Sequence, residues 1–185
     1  MTTERIRNAA HEKEISIRYI ILAVIFWIIT VALIVMIFHF SGQSATQSSN
    51  TSNMVVNIIN EVLGVDIEDD TVIRKVAHAT EFAILTAFTF AALSSTNKIS
   101  NKTSYAESPV KLMRSDNEMN IVFTLWFTIL NAIFDEYHQL FVDGRDGSIR
   151  DVLIDLIGIV VVLIIIRVAF TIYLKTKGKS EIVYT

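Results

Sequence analysis

Apolar residues in this chain gather into four long blocks separated by polar segments. The first, residues 19–40, runs about 22 residues without a formal charge, roughly 33 Å as a helix against a bilayer core of about 30 Å. Nothing like a small-residue cleavage site follows it, so it reads as an uncleaved signal-anchor helix. Further blocks cover roughly 72–93, 120–142 and 151–174, with no repeat relating them. The second is the least apolar, because Arg74, Lys75, His78 and Glu81 occupy its first turns. The pattern predicts an all-α polytopic membrane protein with four transmembrane helices. Residues 1–18 form a short N-terminal segment, 19–174 the membrane domain and 175–185 a tail.

Two connections carry patterns of their own. Residues 41–53 are a Ser/Thr/Asn/Gln tract, after which Met54, Val55, Ile58, Ile59, Val62 and Leu63 recur at helical spacing up to Gly64. This predicts a short amphipathic helix lying on the outer membrane surface. The acidic run at 66–70 suits the N-terminus of the second span. Residues 94–120, rich in Ser, Asn and Lys and holding the only proline, Pro109, read as a flexible loop.

Composition agrees with the pattern: 52% of residues are hydrophobic and 19% charged, which suits one small integral membrane domain. The net charge of −3 calls for no nucleic-acid partner, and the lack of cysteine excludes disulfides, thiolate catalysis and Cys-ligated metals. Lys and Arg cluster in 1–18, in 94–120 and after 174, whereas 41–70 has none and 143–150 only Arg145 and Arg150. By the positive-inside rule both termini and the Lys-bearing loop are cytoplasmic.

That topology brings unusual residues to one level. Arg74, His78 and Glu81 stripe the outer half of the second span. Asn131, Asp135, His138 and Gln139 stripe the outer end of the third, and Asp151 and Asp155 open the fourth. Ionisable groups in spans are costly and face a bundle interior or a wet cavity, so all three stripes are expected to point inward onto one outward-facing pocket. Glu81, Asp135 and Asp155 should then approach one another.

Blander roles compete. Arg74 can pair with Asp70 or meet lipid headgroups, Lys75 can snorkel, and Asp151 can be a helix N-cap. Glu136 can face a neighbouring helix or water, and His78 with Glu81, or Asp135 with His138, can be polar clasps. The glycines of the VDGRDGS turn serve either a tight turn or an anion-binding backbone. The sharper readings are a metal site, acid–base chemistry by a His beside carboxylates, and anion binding by Arg74, Lys75 and Arg145.

In order, FSGQS from Phe40 with Phe38 upstream, R-K-x-x-H-x-x-E-F from Arg74, and D-E-x-H-Q-x-F-x-x-G-R-x-G-S-x-x-D-V-x-x-D from Asp135 resemble the VanZ-like family of bacterial membrane proteins. Phe82 and Asp143 stand where that family often has Tyr and Pro. The resemblance implies a four-helix protein of the bacterial cell membrane, acting in envelope physiology and in low-level teicoplanin resistance; it supplies no reaction and no cofactor. The residues expected to matter are Arg74, His78, Glu81, Asp135, Glu136, His138, Gln139, Arg145, Asp151 and Asp155. As a binding module they would engage an envelope lipid or a lipid-linked cell-wall precursor. As an enzyme, His78 or His138 would move protons while the carboxylates bound a metal or oriented water. Four spans leave little room for a transport pathway without oligomerisation.

Overall fold

The computed structural model describes residues 16–64, 70–99 and 109–182. Within them the chain forms five helices: α1 (Ile17–Ser41), α2 (Ala45–Leu63), α3 (Asp70–Asn97), α4 (Pro109–Gln139) and α5 (Ile149–Ile182). Three segments, Ile17–Ser41, Thr71–Asn97 and Ile149–Thr176, are long and apolar enough to cross a membrane. The expected third span lies on α4, which is not among them. Asn120, Thr124, Thr128, Asn131, Asp135 and Glu136 dilute its apolar character.

The least apolar of the three spans is the central one. Helix α3 packs against all four other helices, and its Phe82 and Leu85 join Ile37 of α1, Ala132 of α4, and Ile159 and Leu163 of α5 in one core. In a membrane this is the economical arrangement, because lipid already solvates the apolar surfaces of α1 and α5. Small residues set how closely the helices approach. A Cβ on Gly158 of α5 would overlap the Ala79 carbonyl oxygen of α3, so the two backbones touch there. Buried hydroxyls turn back to their own helices: Thr30, Thr86 and Thr128 each donate to the carbonyl four residues earlier, at 2.7 to 2.8 Å.

Two loop expectations are corrected. The Ser/Thr/Asn/Gln tract is the first half of α2, whose amphipathic second half was expected to stand alone. Ser44 caps it: the Ser44 hydroxyl accepts from Gln47 N–H while the Gln47 side chain accepts from Ser44 N–H, a capping box. Ser48, Ser52 and Val56 form the buried face of α2, at i, i+4 and i+8. Met54, Val55, Ile58 and Val62 are exposed on an adjoining face. The expected flexible loop is shorter than 94–120, since α3 runs to Asn97 and α4 starts at Pro109. Proline suits a first helical turn, where its missing N–H is not needed. The acidic run at 66–69 and the centre of the loop, 100–108, lie outside the described residues.

At the end of the bundle where α1 begins and α3 finishes, neutral side chains clasp the helices. Asn97 Nδ2 donates to Asn120 Oδ1 at 2.7 Å, and Asn120 Nδ2 to Ser94 Oγ at 3.3 Å. Trp27 Nε1 donates to Thr96 Oγ1 at 3.2 Å. Ser16 N–H reaches the Ile99 carbonyl at 3.0 Å, and the Lys98 ammonium lies 5.7 Å from the centre of the Tyr19 ring.

Candidate functional site

The opposite end is built differently. Helix α4 stops at Gln139, and the chain reverses through residues 140–148 into α5. Gly144 takes φ +74°, a left-handed conformation that favours glycine. A Cβ on Gly147 would press into the Glu136 carbonyl and the Leu140 side chain, so turn geometry accounts for both glycines. Ser148 is the N-cap of α5, its hydroxyl accepting from Arg150 N–H at 3.1 Å. Asp151, expected as a candidate cap, is instead the third residue of the helix. Glu136 fixes the same corner by accepting from Ser148 N–H at 2.7 Å.

A cavity of about 180 Å³ opens here. Helix α3 lines it with Thr71, Arg74, Lys75 and His78, and α4 with Glu136 and Gln139. The turn adds Gly144, Arg145 and Asp146, and α5 adds Asp151, Ile154 and Asp155, with Ala45 of α2 at the edge. Seven of the ten residues singled out from the sequence therefore share one wall. Lys75, expected to snorkel, lines it too.

Arg145 ties the site together. Its Nε donates to the Gln43 carbonyl at 3.1 Å and its Nη1 to Gln139 Oε1 at 3.3 Å, joining the turn to the α1–α2 link and to α4. The rest of its fork is left for the cavity. Burial, and then the neighbouring Arg74, push the Arg145 guanidinium below its ordinary pKa range. A bound anion would relieve both effects. On α3, Arg74 Nη2 lies 3.5 Å from Thr71 Oγ1.

Beneath the cavity sits a second layer. Asp135 is fully buried, and its Oδ2 accepts from Gln139 Nε2 at 3.1 Å. Ser41, fully buried at the end of α1, and His78 are further polar neighbours of Asp135. Glu81 Oε2 lies 3.8 Å from His78 Nδ1. His138 takes no part in the lining: its ring packs 5.7 Å from that of Phe38 and against Gly42, on the α1 side. Asp155 is 1% exposed, and neither carboxylate oxygen has a hydrogen-bond partner among the described residues. It lies within electrostatic range of Asp135, Glu136, Asp151 and Glu81. Among the described residues, no group of three or more His, Asp or Glu side chains is placed to hold a metal ion.

A family model described as VanZ/LLP1 matches residues 26–171, a range that contains every residue of the cavity and of the layer beneath it. The chain belongs to the VanZ/LLP1 family. No curated protein matches it, and no solved structure does.

Within this VanZ/LLP1 domain, Ser41, Gln43 and Ser44 were not expected at the site, although FSGQS was one of the blocks carrying the resemblance. Ser41 lies beside Asp135, the Gln43 carbonyl holds Arg145, and Ser44 starts α2. The signal was Ser41 directly after an uncharged span, where a polar side chain buried in the bundle needs a polar neighbour.

Proposed function

We propose that this VanZ/LLP1 protein is a four-span membrane protein whose outward-facing cavity binds the headgroup of an envelope lipid or lipid-linked precursor. The observation that carries the reading is Arg145, a half-buried guanidinium held by Gln43 and Gln139 at the wall of a cavity that Arg74 and Lys75 also line. Oriented guanidinium and ammonium groups at headgroup depth suit a phosphate. The volume is below the roughly 300–1,000 Å³ of sites that enclose whole drug-sized ligands, which suits a headgroup whose tails stay in lipid.

The exposed face of α4 supports its being the fourth span. Met119, Val122, Phe123, Trp126, Leu130, Ile133, Phe134 and Tyr137 are all exposed and fall on one side of the helix, about 27 Å long, while the polar residues of α4 face inward. Averaging over the helix cancels the two. With four spans, both termini and residue 102 lie in the cytoplasm and the cavity faces out. The chain has no cysteine, so cysteines at Ser49 and Lys102 give a clean test with an impermeant maleimide. Labelling of intact cells at Ser49 alone is expected; labelling at Lys102 alone would invert the protein.

Lipid binding is tested by native mass spectrometry of the purified protein, with Arg145→Gln and Arg74→Gln beside it. Retained phosphate-bearing lipid that both variants lose is expected, and undiminished retention would refute the site. Teicoplanin susceptibility of a deletion strain complemented by each variant tests the envelope role.

His78, on the cavity wall with Glu81 at 3.8 Å, favours a second reading as an acid–base enzyme on the same ligand. Conversion of bound lipid by the native protein but not by His78→Gln would select it.

A further inference from the structure

Resting on that headgroup-binding reading, we infer that the ligand is a zwitterion, a phosphodiester bearing a primary ammonium, with the ammonium seated on Asp155. The cavity is not simply basic. Arg74, Lys75 and Arg145 share its walls with Glu136, Asp146, Asp151 and Asp155, so a ligand carrying only negative charge would meet more acids than bases. The acids reach deeper than the bases only through Glu136 and Asp155, since Asp146 is exposed and Asp151 half-buried. Lys75 is exposed, Arg74 and Arg145 are half-buried, and Asp155 is buried.

Asp155 separates a headgroup site from an acidic corner of a helix bundle. Glu136 spends one oxygen on Ser148 N–H, and Asp135 accepts from Gln139. Among the described residues Asp155 accepts from nothing, yet it is 1% exposed on the cavity wall. Bare carboxylate oxygens out of water call for a donor, preferably a charged one. A primary ammonium brings three N–H donors and a positive charge.

The order of charges fits a lipid entering headgroup first. In an aminophospholipid the phosphodiester lies between the tails and the amine, so an amine at Asp155 leaves the phosphate nearer the opening, within reach of the cations, and the tails outside. A glycerol headgroup would bring only neutral hydroxyls to Asp155. A trimethylammonium headgroup would bring charge without a donor.

The test uses the full-length protein in detergent, titrated with short-chain phosphatidylethanolamine, phosphatidylglycerol and phosphatidylcholine, with binding read from tryptophan fluorescence or ligand-induced thermal shift. Phosphatidylethanolamine is expected to bind about tenfold or more tightly than the other two, the scale of one charged hydrogen bond. Asp155→Asn should reduce it to their level, and Arg145→Gln should weaken all three. Equal binding of the three lipids, or a preference that survives Asp155→Asn, overturns the ammonium assignment. So does tight phosphatidylglycerol binding that a chelator abolishes, because a divalent cation would then occupy Asp155. In each of those cases dependence on Arg145 keeps the underlying site. Binding of none of the three with dependence on Arg145 removes the headgroup reading itself.

Discussion

The two ends of the bundle use polar residues to opposite effect. At one end Asn97, Asn120 and Ser94 form a neutral chain of hydrogen bonds, with Trp27 reaching Thr96 beside it, and the charged Glu118 and Arg167 pair with each other at 3.7 Å on the exposed rim of a second cavity of about 210 Å³. At the other end the ionisable residues are drawn inside the bundle around the cavity and, among the described residues, leave both oxygens of Asp155 and one of Asp135 without a hydrogen-bond partner. Evolution of stability alone would produce the first kind of end twice, since neutral amides and hydroxyls hold helices together without desolvating charge. The contrast teaches which polar residues in a membrane bundle are fasteners and which await a ligand. Satisfaction within the protein, more than polarity, marks the difference.

The contrast can be broken in order of effect. Gly158→Val should disturb both ends most, because its side chain collides with the Ala79 carbonyl and must part α3 from α5. Overpacking of this kind costs about 1–3 kcal/mol or more, and detergent melting temperature and membrane abundance should both fall. Asn120→Ala should come next, leaving Asn97 without its acceptor and lowering stability by about 0.6–2 kcal/mol, while lipid binding at the far end persists. A loss of binding as large as that caused by Arg145→Gln would show that the ends are not separable. Ser44→Ala should cost about 1 kcal/mol through the capping box and loosen α2, seen as faster proteolysis within residues 45–63. Glu136→Gln should do least to stability, because the amide oxygen still accepts from Ser148 N–H.

Much of this was legible in the chain. The charge-free run at 19–40 and the late block at 151–174 read directly as spans because lipid-facing helices are apolar all round. The shared site was legible from topology, since Arg74, Asp135 and Asp151 begin or end successive long helices at one end of the bundle. Less legible were features that depend on packing partners. The polar character of α3 reads as weakness in a span, and only its central position shows why it is tolerated. The tract at 45–53 reads as a loop by composition, although Ser44 and Gln47 hold the capping box that starts a helix there. His138 shares a stripe with Asp135 and Gln139, yet a ring beside Gly42 and Phe38 faces α1. Spacing along one helix gives an arc; the neighbour that fills it comes from elsewhere in the chain.

The distinction between fastener and site meets its most direct test at Asp155, by measuring detergent melting temperature and lipid binding on the same samples of native protein and Asp155→Asn. A fastener loses stability when its charge is removed; a buried carboxylate waiting for a ligand does not, and can gain by relief of desolvation. The expected result is a melting temperature equal to or above that of the native protein without added lipid, together with the loss of selective headgroup binding. A lowered melting temperature with headgroup selectivity intact would contradict the account and make the charged cluster a second clasp.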